Sequence, residues 1–572
     1  MRYFLTFSLC ISLCTQAVCQ QPENPACTNP KSQIDLAGNN IRARLLNGGD
    51  MFSTLSKAGL APNSQDILSP GTIYVASLWM GGLDAGGNLR MAATGYRSSG
   101  KTDFWAGPLT TSGTTDGPVC ATWDRHFNVR GVDIAQFLQN LPALAANPFL
   151  AIAEYQSIMG WPSKGNPYFL SIYGFDLPSN NSDLAPFYDS DSDGVYNPLK
   201  GDYPVVQLRG FPSFVPAEMV WWVINDEGGG AFHSSSSGQP IRMEVQTTAW
   251  AFNCPDKPVL NNTVFTSHKM LNRAPESIDS FFVGMWVDFD LGCPADDYLG
   301  CSPQRNSMFA YNIDMVDGQP GSACDQGIKT FGEKPPVQSA TFLNTHMDKF
   351  LCTSNGSPTG AGDPTQDFEF YNNLSGRWRD GSPLTYGGTG FGQGNPPVDH
   401  LFPDDPADSN GWSMCTAALP SSDRRALGTH KIGRLNPGQI EELNMAWTYH
   451  PRSSFGPCDL GPTYAQVDSV IKLYEQKFFS VCTGLSADRT PDWAQALALY
   501  PNPASQSATL QYGDVQVQSV RCFDVLGHLV WERSDLPARQ MEIPVAAWSP
   551  GFYTVQIHSP EGSALRRLAV QR

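Results

Sequence analysis

The chain of 572 residues sets 37 Lys and Arg against 54 Asp and Glu, a formal charge of −17, and only 16% of its residues are charged. A field of that sign repels nucleic acid and anionic lipid, so neither is expected as a partner. Typical soluble domains carry roughly 25% charged residues; here 53 Gly and 45 Pro take up part of the difference, the balance of a turn-rich β protein and not of a helical bundle.

Met1 and Arg2 precede an apolar run from Tyr3 to Cys14 and a small-residue region ending at Gln20. This reads as a signal peptide over 1–19, with Ala17 and Cys19 at the small positions before the cut. The run is too short to span a bilayer, and no later stretch approaches the length that could, so no transmembrane segment is expected. Removing 1–19 takes Cys10, Cys14 and Cys19 from the 14 cysteines. The odd remainder suits disulfides in an oxidising compartment, with at least one thiol unpaired. No Cys-x-x-Cys occurs, which excludes zinc-ribbon and thioredoxin-type sites.

Between signal and C-terminus the pattern is mainly β. Ile73 to Met80 reads as a buried strand, the Gly-rich 81–87 as a turn, and Leu89 to Ala93 as the returning strand of a hairpin. Val132 to Trp161 predicts two amphipathic helices interrupted at Pro142 and Pro148, and Tyr464 to Phe479 one more, with Val467, Val470, Ile471, Tyr474 and Phe478 on its apolar face. Met219 to Ile224, Ile241 to Phe252, Thr263 to Leu271 and Ser280 to Val287 are strands in the β-sandwich style. Leu374 to Asp408 reads as long surface loops and Thr483 to Gln495 as a linker. The expected organisation is a β-rich region with a helical insertion and an acidic loop (20–255), a second β-rich region (256–482), a linker (483–498) and a C-terminal domain (499–572). A single large sandwich with long insertions fits the same body.

The sharpest chemical signal is Asp189-Ser190-Asp191-Ser192-Asp193-Gly194-Val195. Carboxylates at loop positions 1, 3 and 5, a Gly for the turn and the next carbonyl can wrap oxygens around Ca²⁺. The expected metal ligands are Asp189, Asp191, Asp193, Val195 and Asp202. Lys200 stands where an EF-hand has a bidentate Glu, and Pro186 and Pro198 argue against flanking helices, so Asp202 is read as the distal carboxylate. The bland reading is a solvated aspartate turn. A weaker second cluster is Asp288, Asp290, Asp296 and Asp297: the first two point the same way at a strand end, and the others come within reach if Cys293 and Cys301 are bridged.

Enzyme signatures are missing. There is no Gly-x-Ser-x-Gly, no His-Glu-x-x-His and no P-loop, and no catalytic residue is assigned. Gly388 to Gly394 lacks the strand-to-helix setting of a phosphate loop and reads as a flexible loop. A glycosidase needs only two carboxylates at the right separation. Glu218, Glu227 and Glu244 lie near Trp221, Trp222 and Trp250, but Trp on strands is more often core than sugar platform.

The last stretch carries Leu499-Tyr500-Pro501-Asn502-Pro503, Phe523-Asp524-Val525-Leu526-Gly527, Gly551-Phe552-Tyr553-Thr554-Val555 and a basic terminal strand. Ala508, Leu510 and Tyr512 alternate to one face, as do Tyr553, Val555 and Ile557, and Leu526-Gly527-His528 turns the chain. Together these resemble the type A C-terminal sorting domain of the type IX (Por) secretion system. The resemblance implies an immunoglobulin-like β-sandwich that engages the outer-membrane secretion machinery through 499–572, and a location secreted from, or on the outer surface of, a Gram-negative bacterium. Segments such as Ser77 to Asp84, Asp103 to Pro108 and Arg377 to Gly388 resemble a family of exported proteins with the same sorting domain, which adds no catalytic residues. The expected function is a calcium-stabilised binding or structural surface protein with a glycan or other cell-surface ligand. The alternative is a secreted hydrolase acting on polysaccharide or protein.

Overall fold

The computed structural model describes residues 26–53, 59–62, 69–97, 100–178, 184–254, 256–318, 324, 329–392, 394–452, 456, 458–478, 497–523, 529–534, 536–537, 539–559 and 562–571. The signal-peptide reading, most of the linker and the turn at Leu526-Gly527-His528 lie outside these.

Two nine-stranded antiparallel sheets make the body. The first runs Gln33–Leu36, Ile41–Leu46, Asp50–Met51, Ile73–Leu83, Ile278–Phe289, Arg424–Leu435, Lys349–Ser354, with Leu60–Pro62 and Leu89–Ala93 alongside. The second runs Asp297–Ser302, Ser307–Asn312, Val337–Phe342, Ile440–His450, Thr263–Asn272, Met243–Ala251, Glu218–Asn225, Trp105–Ala106, with Phe127–Arg130 beside Glu218–Asn225. Both sheets draw strands from either side of residue 255. The Leu83-to-Leu89 hairpin stands as the sequence predicts, with Met80 paired to Ala92.

The sheets face each other over one core. Phe52, next to the Asp50–Met51 strand, meets Trp447 of the second sheet edge-on at 4.9 Å, and the Thr72 hydroxyl donates to Gln338 Oε1 at 2.7 Å. Side chains alternate across a strand, so Trp222 joins this inner core while Trp221 joins a second cluster on the far face of its sheet. That far face is covered by the helices Gly131–Ala146 and Gly461–Glu475, through Ile134, Phe137, Val470 and Tyr474. Each central strand therefore has apolar ground on both sides, which is why it reads as a continuous apolar run and not as strict alternation.

The outer face of the first sheet is also covered. Among its described residues, Leu374 to Asp408 has no helix or strand after Leu374 and is mostly exposed or partly exposed, the long loop that the sequence predicts, but Leu374, Trp378, Leu384, Leu401 and Phe402 anchor it in the core. These residues have no helical or strand period, so pattern reading assigns them to solvent. Within the Gly-rich stretch Gly390 is buried and its carbonyl accepts from the Trp378 indole at 3.0 Å, while Gly388, Thr389, Gly392 and Gly394 are exposed. The helix Asp367–Leu374 lies against the sheet because Gly284 has no Cβ; one built there would stand 2.8 Å from Leu374 Cδ2. Pro142 does not interrupt its helix but sits inside Gly131–Ala146, whereas Pro148 opens the next one.

Three disulfides join Cys27 to Cys120, Cys293 to Cys324 and Cys415 to Cys458. Cys293 is thus not bridged to Cys301, which is a buried free thiol. The C-terminal stretch is a separate small sandwich. Ala498–Tyr500, Ser507–Gly513 and Arg539–Pro544 form one sheet, and Leu529–Arg533, Ser519–Phe523, Gly551–Ser559 and Gly562–Val570 the other. Its core is the set the alternation predicts, Ala508, Leu510, Tyr512, Tyr553, Val555, Ile557, Leu568 and Val570 included.

Candidate functional site

The Asp189 loop is folded around its own carboxylates. Asp189 accepts from Gly194 N at 2.8 Å and Asp193 N at 3.3 Å, and Asp193 accepts from Val195 N at 2.8 Å. Gly194, at φ 73°, supplies the left-handed turn residue. Asp202 is fully buried and ties the loop shut, accepting from Ser190 N and Asn197 N at 2.8 Å each. Carboxylate oxygens of Asp189, Asp191 and Asp202 come within 4.8 Å of one another, a span one cation can bridge. Asp193 instead turns to Lys200, whose ammonium lies 2.9 Å from it and 3.1 Å from Asp191. The Lys200 contact holds the Asp193 carboxyl below its ordinary pKa, and the two carboxylates push the Lys200 ammonium up. Lys200 is the loop's built-in counter-charge.

The second acidic cluster divides. Asp288 and Asp290 group with Asp423, which the sequence gives no reason to place there. Asp296 groups with Asp317 and Cys293, and since Cys293 is in a disulfide its sulfur is not a thiolate ligand. Asp296 is held by Asn312 Nδ2 at 3.0 Å and Gly318 N at 2.9 Å. Asp297 is buried and accepts from Leu291 N at 2.9 Å; burial drives its carboxyl well up.

Asp288 belongs to a buried network. It pairs across the first sheet with Arg425, whose Nε lies 3.4 Å from Asp288 Oδ1 and whose Nη1 lies 2.6 Å from Asp423. Tyr96 donates its hydroxyl to Asp288 Oδ2 at 2.6 Å and accepts from Arg425 Nε at 2.6 Å. Burial outweighs the guanidinium and pushes the Asp288 carboxyl up to about 7. Burial and the neighbouring Asp288 and Asp423 charges drive Asp290 well up too.

This network backs a cavity of about 250 Å³ that the sequence does not reveal. Trp79, Tyr96, Trp286 and Phe370 form its aromatic wall, with Asp363 and Lys101 among the polar residues that line it. Trp79 and Trp286, on neighbouring strands, stack at 5.6 Å; Phe370 meets Trp79 edge-on at 4.8 Å and Tyr96 meets Trp286 edge-on at 5.3 Å. Asp363 accepts from the Thr353 hydroxyl at 2.5 Å. These residues come from four distant segments, and the only local hint is a Trp on each of two adjacent strands.

The other suspected acids are engaged elsewhere. Glu244 is buried and pairs with Arg273 at 3.2 Å; Glu218 accepts from Ala37 N and Asn128 Nδ2; Glu227, which burial pushes up to about 7, lies 3.5 Å from Arg242. Trp221, Trp222 and Trp250 are all at most 2% exposed, hence core.

Comparison with known proteins bears on the C-terminal sandwich: residues 498–571 match the family described as Secretion system C-terminal sorting domain. No curated protein matches the chain. Among solved structures, a polysaccharide lyase aligns with 57% of this chain and 34% of its own length at 6% identity and a TM-score of 0.18. The BSP domain of a biofilm-associated protein aligns with 62% of this chain and 59% of its own at 7% identity and a TM-score of 0.13. Scores this low establish no shared fold. No helix among the described residues is long and apolar enough to cross a membrane.

Between an unfolded aspartate's pKa of 3.8 and the folded Asp288 value of about 7, the unfolded chain sheds a proton that the folded chain keeps. Stability therefore falls as pH rises through that window. Asp288→Asn flattens the fall when unfolding is measured across it; an unchanged slope contradicts the assignment. Separately, deleting 499–572 leaves the protein in the periplasm, read by fractionation, and normal secretion of the truncated chain contradicts the address.

Proposed function

Because the chain carries the C-terminal sorting domain of the type IX route and is exported to the cell surface or beyond it, we propose that its body acts there by binding, with calcium stabilising the Asp189 loop. The observation that carries binding over hydrolysis is the make-up of the cavity. Its wall is aromatic and, among the described residues that line it, the one carboxylate is Asp363, whereas general acid–base hydrolysis of a glycoside needs a facing pair. Asp288, an acid of raised pKa behind Tyr96, is committed to Tyr96 and Arg425. An aromatic wall with few polar groups is the make-up of a small-ligand pocket.

Calcium is supported by the three converging carboxylates of the Asp189 loop. Its arrival re-aims Lys200, since the ammonium holds Asp191, one of the three, together with Asp193. The role is structural: the ion ties a loop closed on Asp202.

The secreted form, recovered from medium or cell surface, is expected to show no reproducible turnover of polysaccharides or casein. Turnover abolished by one carboxylate substitution overturns the binding reading in favour of a secreted hydrolase. In calorimetry, a chelator lowers Tm by a few degrees, Asp191→Ala removes the response, and Lys200→Gln tightens calcium binding. A wild-type Tm indifferent to chelator removes calcium from the account.

A further inference from the structure

We infer that the cavity beside Tyr96 is a binding site for a single pyranose ring at the end of a glycan. The assignment rests on the binding reading and names its ligand class. Size comes first. Pockets for drug-sized ligands run from about 300 to 1,000 Å³, so about 250 Å³ suits one ring and not an extended chain. Trp79, Trp286 and Phe370 are no more than 5% exposed, so they offer no open platform along which a polysaccharide could lie.

Chemistry comes second. A sugar ring presents C–H groups of weakly positive character to an aromatic wall and hydroxyls, both donor and acceptor, around its rim. The cavity's lining matches that mixture: the part-exposed Tyr96 ring with the nearly buried Trp79, Trp286 and Phe370, and Asp363, Lys101, Ser235 and Thr365 as polar residues, the Thr365 hydroxyl already donating to Glu369 at 2.9 Å. An aromatic cage for a quaternary ammonium ion is the rival, since such cages combine rings with acids. Lys101 in the lining opposes it, because a second cation there repels the guest.

Preorganisation comes third. Tyr96 is the half-buried ring of the four, and it is fixed from behind by Asp288 and Arg425, both within 2.6 Å of its hydroxyl. Asp363 is fixed by Thr353. The Ser235 backbone is pinned by its N–H to Asp103 Oδ1 at 2.8 Å. Groups held this way lose little freedom when a ligand arrives. The Tyr96–Asp288–Arg425 network thereby acquires a role: it positions the ring.

The test titrates the full-length secreted protein, with calcium present, against methyl glycosides of glucose, galactose, mannose and N-acetylglucosamine. Intrinsic tryptophan fluorescence and saturation-transfer NMR are the readouts, and tetramethylammonium is the control. At least one glycoside is expected to bind saturably and to perturb tryptophan emission. Asp363→Asn, which keeps an acceptor for Thr353, weakens it about tenfold or more, the scale of a lost charge-assisted hydrogen bond. Tyr96→Ala abolishes binding; if that variant does not fold, Asp363→Asn carries the test alone. Glycoside binding indifferent to Asp363→Asn places the sugar site elsewhere and overturns the cavity assignment while leaving the binding reading intact. No glycoside binding, or Asp363-dependent binding of tetramethylammonium in its stead, overturns the sugar assignment. The turnover screen judges the binding reading independently.

Discussion

The cross-strand pairing of Asp288 with Arg425 is the constraint around which one side of the body is arranged. An ion pair taken out of water costs several kcal/mol per ion, which close opposite charge has to offset. Here Arg425 serves Asp288, Asp423 and the Tyr96 hydroxyl together. That demand brings three segments to one place: the Ile278–Phe289 strand, the Arg424–Leu435 strand with Asp423 just before it, and the loop after the Leu89–Ala93 strand. Tyr96 is then fixed against Trp286, Trp286 against Trp79, and Trp79 against Phe370 of the covering helix. The cavity is what this packing leaves open.

The same physics explains how a chain with so few charges keeps two acidic clusters. At the Asp189 loop the charges stay near solvent, and the counter-charge is Lys200, half-exposed and displaceable. At Asp288 the counter-charge is a buried arginine, planar, always ionised and bound to several partners. The first arrangement leaves its counter-charge displaceable; the second is built to stay as it is. Similar strings of aspartate in the sequence thus lead to different roles, and burial makes the difference.

Legibility in the sequence followed the range of the interactions. The central strands, the hairpin at Leu83 to Leu89 and the alternating core of the C-terminal sandwich depend on local period, and they were readable. So was the Asp189 loop, whose carboxylates and turn glycine lie within a few residues. What pattern could not give was long-range. Asp423 reaches Asp288 only through strand pairing, Cys293 finds Cys324 and not Cys301, and Leu374, Trp378, Leu401 and Phe402 pack on a sheet without any period to announce it. The cavity assembles residues between 79 and 370 in the chain, so no window of sequence contains it. Pro142 inside a helix shows the converse, a local breaker overruled by packing of Ile134, Phe137 and Leu144.

Address and cargo are thus separate in kind: a small sandwich whose motifs are read by an export machine, and a two-sheet body that carries an acidic loop and an aromatic-walled cavity. The most direct measurement is a crystal structure of the full chain grown with calcium and soaked with the methyl glycoside of highest affinity. The account predicts a sugar ring packed on Tyr96 with a hydroxyl on Asp363. A sugar bound elsewhere with this cavity empty would contradict it.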